Sequence, residues 1–485
     1  MRPRAGGAVK PADLHQRKNL SSLADEIDRS LPKRRDMSCH DYLIALLHLG
    51  SSLEHALMVQ YLYSAYSLGG DQVPEEHRPM IRRWRETILA VAREEMGHLL
   101  TVQNVLTFLG AGLSLTRENF PWEIEWFNLE PFSLGALACY VYAEMPENED
   151  FPEKKLIEKL AREHLAENGR NPAEIKLHPV GEVYDDIMKL LNDPELIPDT
   201  AFQEETYVLQ ASWDDWGRGY KPDPRPLDPE GNLEEISKPA YKAEQFRSHV
   251  MIERVATRTE ALAALKALSI QGEGPLAPAK GEEWSHFKRF MAIFTEYQEE
   301  MKGQKWSPTF PLPTNPHTEE KSCGLDPDSC CITSSKSRNW AILFNLRYRM
   351  LLTFLMHTFQ VARVTRPGEP NIRGMLMHKV FAEMYNLKTI AGILVQLPLR
   401  DDGSPLRAGP PFEPPYNLRL PAADVDCWCL HLDILGTASG ICKKILESDS
   451  RHEDRTYIET LIDLDAQTKD WVNQILAGMN STERY

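Results

Sequence analysis

The sequence is poor in cysteine, in positive charge and in long hydrophobic runs, and each shortage excludes a class of protein. Eight cysteines in 485 residues are too few for a scaffold held together by disulfides. No uninterrupted apolar run approaches the roughly 20 residues of a membrane span, and no apolar segment follows the basic N-terminus as in a secretory signal. The 55 basic and 71 acidic side chains give a net charge of −16, which argues against non-specific binding to nucleic acid or membranes. We therefore expect a soluble, cytoplasmic protein that acts on a small molecule.

Helical periodicity dominates the chain, and clear hairpin patterns are scarce, so the predicted fold class is all-α. A loop rich in proline, serine, threonine and cysteine at 303–336 separates two helical parts. The predicted helices span 40–66, 78–109, 133–144, 153–167, 181–191, 250–273, 282–302, 339–363, 372–397, 423–447 and 452–478. The predicted domains are a flexible tail over 1–35, a bundle over 36–303 with an insertion at 147–245, a linker over 304–336 and a C-terminal helical domain over 337–480.

The second predicted helix carries two polar side chains on an otherwise apolar face. Seven of the nine core positions of a heptad pattern from Ile81 to Leu109 are large and apolar, and the exceptions are Glu95 and His98. Burying these groups costs several kcal/mol each unless they are paired or bind a metal. They are therefore candidate metal ligands, with a buried ion pair as the alternative. Glu94 lies outside this register, and we expect it at the surface.

Three further helices repeat this pattern of an inward-facing carboxylate. Glu54 is the one charged residue on an apolar face of the first helix, and Glu144 ends the third. Near the end of the bundle, Glu283 and His286 have the same Glu-x-x-His spacing as the second helix. Glu273 ends an alanine-rich helix face and competes with Glu283 for the same role.

Inward carboxylates on four helices, two of them followed by a histidine, are typical of dinuclear carboxylate sites in ferritin-like four-helix bundles. Carboxylates neutralise two divalent ions, and one imidazole per metal completes a shell with open positions. The candidate metal ligands are Glu54, Glu95, His98, Glu144, Glu273, Glu283 and His286, and all except Glu283 are also candidate catalytic residues.

Four other polar or aromatic residues near these positions have simpler interpretations. Tyr61 and Tyr140 share the faces of the predicted ligands, and we expect them to pack in the core, with a hydrogen bond to a ligand or electron transfer as the alternative. His48 and His55 flank Glu54, and we expect them at the surface, although one of them could orient a ligand.

The order of several short motifs resembles the ferritin-like family of the iminophenyl-pyruvate dimer synthases of violacein and indolocarbazole biosynthesis. The resemblance extends from about residue 36 to 478. The motifs are Ser-Ser-Leu-Glu54-His, Arg-Glu-Glu95-Met-Gly-His98, Tyr-Ala-Glu144-Met-Pro-Glu, Val-Gly-Glu182-Val-Tyr184, Gln-Gly-Glu273-Gly, Ser-His286-Phe-Lys-Arg-Phe290, Phe344-Asn345-Leu-Arg-Tyr348 and Ala408-Gly-Pro-Pro-Phe412-Glu413.

The resemblance implies a ferritin-like bundle, an additional helical C-terminal part, and oxidative chemistry in secondary metabolism on amino-acid-derived substrates. It points to Glu54, Glu95, His98, Glu144, Glu273 and His286 as the site, with Glu283 left open. The dimer synthases are longer, have an additional N-terminal region and are associated with haem, whereas this chain has no Cys-x-x-Cys-His motif. The dimerisation activity is therefore not transferred.

Together these patterns predict an oxidoreductase with a dinuclear metal site that uses O2 as co-substrate to oxidise a small substrate. Iron is favoured because zinc has no redox chemistry, and manganese is the alternative. Two other functions stay open, namely a metal-binding or peroxide-scavenging protein without an organic substrate, and a helical scaffold that binds a partner. We expect no nucleic-acid or membrane partner, and the sequence leaves a homodimer open.

Overall fold

The computed structural model describes residues 37–120, 127–146, 150–167, 180–212, 250–274, 284–319, 330–361, 371–448 and 451–482. Within these ranges the fold is all-α, as predicted, and the β-structure consists of three isolated bridges. The predicted tail over 1–35, much of the predicted insertion and Glu283 lie outside the described residues.

Two groups of helices make up the described part of the chain, on either side of the segment 301–337. The first group is α1 (Cys39–Ser67), α2 (Arg78–Phe108), α3 (Leu134–Ala143), α4 (Lys154–Glu167), α5 (Gly181–Asn192), α6 (Arg258–Glu273) and α7 (His286–Glu300). The second group is α8 (Arg338–Thr358), α9 (Ile372–Leu394), α10 (Asp424–Glu447) and α11 (His452–Thr482). Serine or threonine hydroxyls accept backbone N–H groups at the start of α1, α3, α6 and α7, which explains why these helices begin where they do.

The helix predicted over 250–273 begins only at Arg258, so the prediction is wrong for its first eight residues. Residues 250–255 run beside α2 without helical structure. The Asn104 side chain donates to the Glu253 carbonyl at 2.8 Å, and the Thr101 hydroxyl accepts from the Glu253 N–H at 3.0 Å. Because side chains of α2 satisfy this backbone, the segment needs no helical hydrogen bonds.

Gly97 allows the same segment to approach α2 closely. A Cβ atom at this position would lie 2.4 Å from the Met251 carbonyl oxygen, which is closer than van der Waals contact permits. The glycine between Glu95 and His98 therefore lets residues 250–255 cover α2 beside these two side chains.

Helix α1 packs along α2, α3 packs on α7, and α5 packs on α6. The buried apolar side chains form one core, whose first and last members in the sequence are Cys39 and Val472. This core therefore includes residues of both groups of helices. Helix α1 is long and apolar enough to cross a membrane, contrary to the expectation from uninterrupted apolar runs, but 67% of its most apolar 18-residue window is buried inside the protein. This burial is typical of a core helix.

The Phe344–Tyr348 motif of the second group contacts α1 next to Glu54. The Tyr348 hydroxyl lies 2.6 Å from His55 Nε2, and His55 Nδ1 lies 3.0 Å from the Leu115 carbonyl oxygen. His55 is 1% exposed, so its predicted surface position is wrong. Burial lowers the pKa of His55 to about 3, and the imidazole is neutral at physiological pH.

Cys331 is disulfide-bonded, whereas Cys39, Cys139, Cys330, Cys427, Cys429 and Cys442 are free. Disulfides are rare in reducing compartments, so the bond at Cys331 does not follow from the expected cytoplasmic location.

Candidate metal centre

Five of the predicted ligands come together inside the first group of helices. Glu54 lies in the middle of α1, Glu95 and His98 lie in the middle of α2, Glu144 is the C-cap of α3, and His286 is the first residue of α7. Each of these five residues is at most 4% exposed. The tertiary structure thus brings three carboxylates and two imidazoles into a dry interior.

These side chains form two overlapping sets that share Glu95. One set is Glu54, Glu95 and His98, and the other is Glu95, Glu144 and His286; within each set the ligand atoms lie within 4.8 Å of one another. Glu95 Oε2 lies 2.9 Å from His98 Nδ1, and Glu95 Oε1 lies 2.9 Å from His286 Nδ1. The two oxygens of one carboxylate therefore face different imidazoles, which is the arrangement of a carboxylate that bridges two ions.

The pattern of hydrogen bonds in this cluster fits bound cations. Glu54 Oε2, Glu95 Oε1 and His286 Nδ1 are buried, and their close contacts with other charged atoms of the cluster do not have hydrogen-bond geometry. Buried polar atoms normally have a partner, since lacking one costs on the order of 1–3 kcal/mol. A pair of divalent cations would supply the partner, and the mixture of carboxylate and imidazole suits iron, manganese or zinc.

Polar groups outside the cluster orient both imidazoles. His98 Nε2 lies 2.9 Å from Gln271 Oε1, and His286 Nε2 lies 2.9 Å from Glu94 Oε2. Arg289 donates to both oxygens of Glu94 at 2.8 and 3.0 Å. Each Nε2 proton is thereby held on the outside, which leaves Nδ1 free to bind a metal.

Glu94 is fully buried, so its predicted surface position is wrong. The heptad pattern placed only one of two adjacent glutamates inside, but α2 is covered on more than one side. The sequence does contain a signal for this, because Arg289 lies three residues after His286 and so on the same inward face of its helix. A buried arginine needs a carboxylate as its partner.

Tyrosines hold two of the carboxylates. The Tyr61 hydroxyl donates to Glu144 Oε1 at 2.6 Å, and the Tyr184 hydroxyl donates to Glu54 Oε1. Tyr61 is therefore more than the core residue that the sequence predicts, whereas Tyr140 packs edge-on against it with ring centroids 5.0 Å apart. The second oxygens of Glu54 and Glu144 remain directed at the histidines.

Protons on the two imidazoles offset part of the negative charge of the three carboxylates. Burial opposes a charge on His98, but hydrogen bonds to Glu54 and Glu95 raise its pKa to about 10. The pKa of His286 is likewise raised well above its ordinary value, against the effect of burial, by Glu95 and Glu144. Metal binding to such ligands displaces protons, so the cluster has the charge to hold cations.

The structure leaves the roles of Glu273 and Glu283 as predictions. Glu273 faces the same small cavity as Glu54, Glu95, His98 and Glu144, but it belongs to neither ligand set, and its carboxylate accepts the Gly181 N–H at 2.6 Å. Burial, with Glu144 adding to it, raises the pKa of Glu273 to about 8. Glu283 lies outside the described residues, and α7 begins three residues after it.

We expect a Glu273→Gln variant to keep its full metal content, because the amide oxygen of glutamine can still accept the Gly181 N–H. Metal analysis after anaerobic loading with Fe(II) checks this, with Glu54→Gln as the comparison that should lose about half of the metal. A loss in Glu273→Gln as large as in Glu54→Gln would instead make Glu273 a ligand.

The cavity at the centre is small. Its volume is about 20 Å³, and Glu54, Glu95, His98 and Glu144 form its inner wall. Gly181, Ser269 and Gly272 of α5 and α6 line its other side. A volume of this size holds about one water molecule.

The chain belongs to the ferritin-like family, whose model matches residues 47–295 and therefore includes all five clustered ligands. Two curated relatives agree with the resemblance seen in the sequence. Dichlorochromopyrrolate synthase of Lentzea aerocolonigenes is 27% identical over 427 residues, or 79% of this chain and 37% of that protein. The 2-imino-3-(indol-3-yl)propanoate dimerase of Chromobacterium violaceum is 24% identical over 442 residues, or 85% of this chain and 37% of that protein. The chain thus spans little more than a third of the length of these relatives. No solved structure matches it significantly.

Proposed function

We propose that this protein is a non-haem dinuclear metal oxidase or oxygenase that uses iron and O2 to oxidise a small, amino-acid-derived substrate. The observation that carries the proposal is the pair of buried ligand sets that share Glu95. Membership of the ferritin-like family supports it, since bundles of this kind hold dinuclear sites between their helices.

The side chains have distinct tasks in this proposal. Glu54 and His98 would hold one ion, Glu144 and His286 would hold the other, and Glu95 would contribute to both. When bound, the two iron ions supply the redox chemistry that oxygen activation requires. The small volume beside the cluster limits the access of water.

The substrate class is inferred from the relatives and from the shape of the site. One relative is named for an imino acid with an indole side chain, which supports an amino-acid-derived substrate. A cavity of about 20 Å³ admits a molecule the size of O2, whereas organic ligands need about 300 Å³ or more. We propose that the organic substrate reaches the site only when the contact between α5 and α6 opens, because the Glu273 carboxylate fills the space beside Gly181.

The same small cavity favours a second candidate, a metal protein that consumes peroxide without an organic substrate. Hydrogen peroxide would fit next to Glu54, Glu95, His98 and Glu144 with no further opening. The scaffold hypothesis differs from both, because it requires no stoichiometric metal.

Metal content and gas consumption of the full chain test these proposals. Wild-type protein loaded anaerobically with Fe(II) and desalted is expected to retain about two ions per chain, and the His98→Ala/His286→Ala variant is expected to retain almost none. Oxygen uptake is then measured with a panel of aromatic amino acids and their imino acids, and peroxide disproportionation is measured separately.

A His40→Ala/His48→Ala variant is the control, because it removes two histidines of α1 that lie outside the cluster. Oxygen uptake that depends on one of the organic compounds supports the oxidase. Rapid peroxide consumption with no such dependence supports the second candidate, and wild-type metal content no higher than that of the double variant contradicts both.

A further inference from the structure

A cleft of about 880 Å³ lies at one end of the bundle, far larger than the cavity at the metal centre. Its walls come from the loop after α1, the first turns of α2, residues 307–311, and residues of the second group of helices and its loops. This volume is typical of a site for a small organic molecule.

The cleft concentrates positive charge in a chain whose net charge is −16. Five arginines line it, and Asp71 is the one acidic residue among its lining residues. Three of the arginines lie on α2 at spacings of four and three residues, which places them on one face. The five are Arg78, Arg82 and Arg85 from α2, and Arg407 and Arg451 from the second half of the chain.

Three of the five arginines have partners. Asp454 pairs with Arg451 at 2.9 Å, Glu86 lies 3.9 Å from Arg85, and Arg78 donates to the Val73 carbonyl at 3.4 Å. Within the part of the chain that the structure describes, the guanidinium groups of Arg82 and Arg407 form neither an ion pair nor a hydrogen bond. Like charges gathered in one cleft repel each other, and a bound anion with two charged groups would remove this repulsion through charge-assisted hydrogen bonds.

The rest of the lining is partly polar, from residues such as Gln72, Ser307 and Gln396, and partly apolar. Leu68, Val73, Ile81 and Phe310 contribute to the same cleft. An inorganic anion would leave this surface in contact with water, whereas an organic anion with an apolar body would cover it. The cleft therefore matches a molecule that combines an aromatic or aliphatic body with two anionic groups.

The cleft is separate from the metal centre. Arg82 lies 13 residues before Glu95 on α2, and Ser67 at the end of α1 lies 13 residues after Glu54. At a rise of 1.5 Å per residue, both spacings correspond to about 20 Å. A molecule in the cleft is thus out of reach of the proposed ligands.

We propose that this cleft is a second binding site, specific for a small organic dianion that carries carboxylate or phosphate groups on an apolar body. Because its arginines come from both halves of the chain, a bound dianion connects the bundle to the second group of helices and stabilises their association. Arg82 and Arg407 make the main charged contacts.

Calorimetric titration of the full chain at low ionic strength tests this proposal. The ligands used are isophthalate, ADP and inorganic pyrophosphate, with adenosine as the neutral comparison. Isophthalate or ADP is expected to bind and to raise the melting temperature, and the preferred one identifies the anionic group as carboxylate or phosphate. Pyrophosphate is expected to bind more weakly and adenosine not at all.

The Arg82→Gln/Arg407→Gln variant is expected to lose at least about tenfold in affinity, because two charge-assisted contacts are removed. The Arg93→Gln/Arg419→Gln variant makes the same change in net charge at two exposed arginines outside the cleft and should bind as the wild type does. Unchanged binding by His98→Ala/His286→Ala excludes the metal centre as the site. Absence of binding by either organic dianion, equal losses in both arginine variants, or pyrophosphate as the tightest ligand would overturn the proposal.

Discussion

A Glu95→Gln variant is expected to lose both metal ions, whereas Glu54→Gln or Glu144→Gln should each lose about one. The reason is that Glu95 directs one oxygen to each imidazole at 2.9 Å and belongs to both ligand sets. Glutamine keeps the size of the side chain but has one oxygen and no charge, so it cannot bridge two cations. Metal analysis after anaerobic loading with Fe(II) and desalting measures the difference.

Glu130→Gln is the matched control for this experiment. Glu130 is also a buried glutamate of the bundle, and it contacts His164 at 2.6 Å, but it belongs to neither ligand set. It should therefore keep both ions. If Glu95→Gln retained one tightly bound ion, Glu95 would be a terminal ligand of a single site and the shared arrangement would be wrong.

The second large effect is expected at Glu94, which connects His286 to Arg289. Arg289 is only 1% exposed. A Glu94→Ala variant removes the carboxylate to which its guanidinium donates. Removing one partner of a buried ion pair costs about 3–5 kcal/mol, so the free energy of unfolding should fall by this amount in urea titrations. The affinity of the His286 ion should also fall, by about 10–100-fold, as measured by competition with a chelator.

A Glu94→Leu/Arg289→Met variant separates these two effects. Replacing both members of a buried pair by apolar residues of similar size is close to neutral for stability, so most of the unfolding free energy should return. The affinity at His286 should stay low, because no acceptor holds its Nε2 proton. Full recovery of metal binding in this variant would mean that Glu94 stabilises the fold without orienting His286.

The sequence predicted the part of the site that depends on helical periodicity. Glu54, Glu95 and His98 interrupt apolar faces of long helices, and a 3.6-residue repeat shows directly which side chains point inward. Glu144 and His286 were predicted in the same way, although they lie at helix ends, where the backbone leaves helical geometry. The family resemblance then related all five to one site.

Contacts between distant segments are not visible in such a pattern. The partners of the ligands come from elsewhere in the chain, with Gln271 173 residues from His98 and Glu94 192 residues from His286. The predicted helix over residues 250–257 was wrong for the same reason, because Asn104 and Thr101 of α2 bond the backbone there.

By itself, the sequence determined the all-α class, the helices that carry the chemistry and most of the residues that could bind metal, because these follow from spacing along one chain. The tertiary structure decided that Glu95 is shared, that Glu94 is buried against Arg289, and that Glu273 contacts Gly181. It also decided that five arginines from two halves of the chain meet in one cleft. These outcomes depend on which helix faces meet, and that is set by the packing of the whole core.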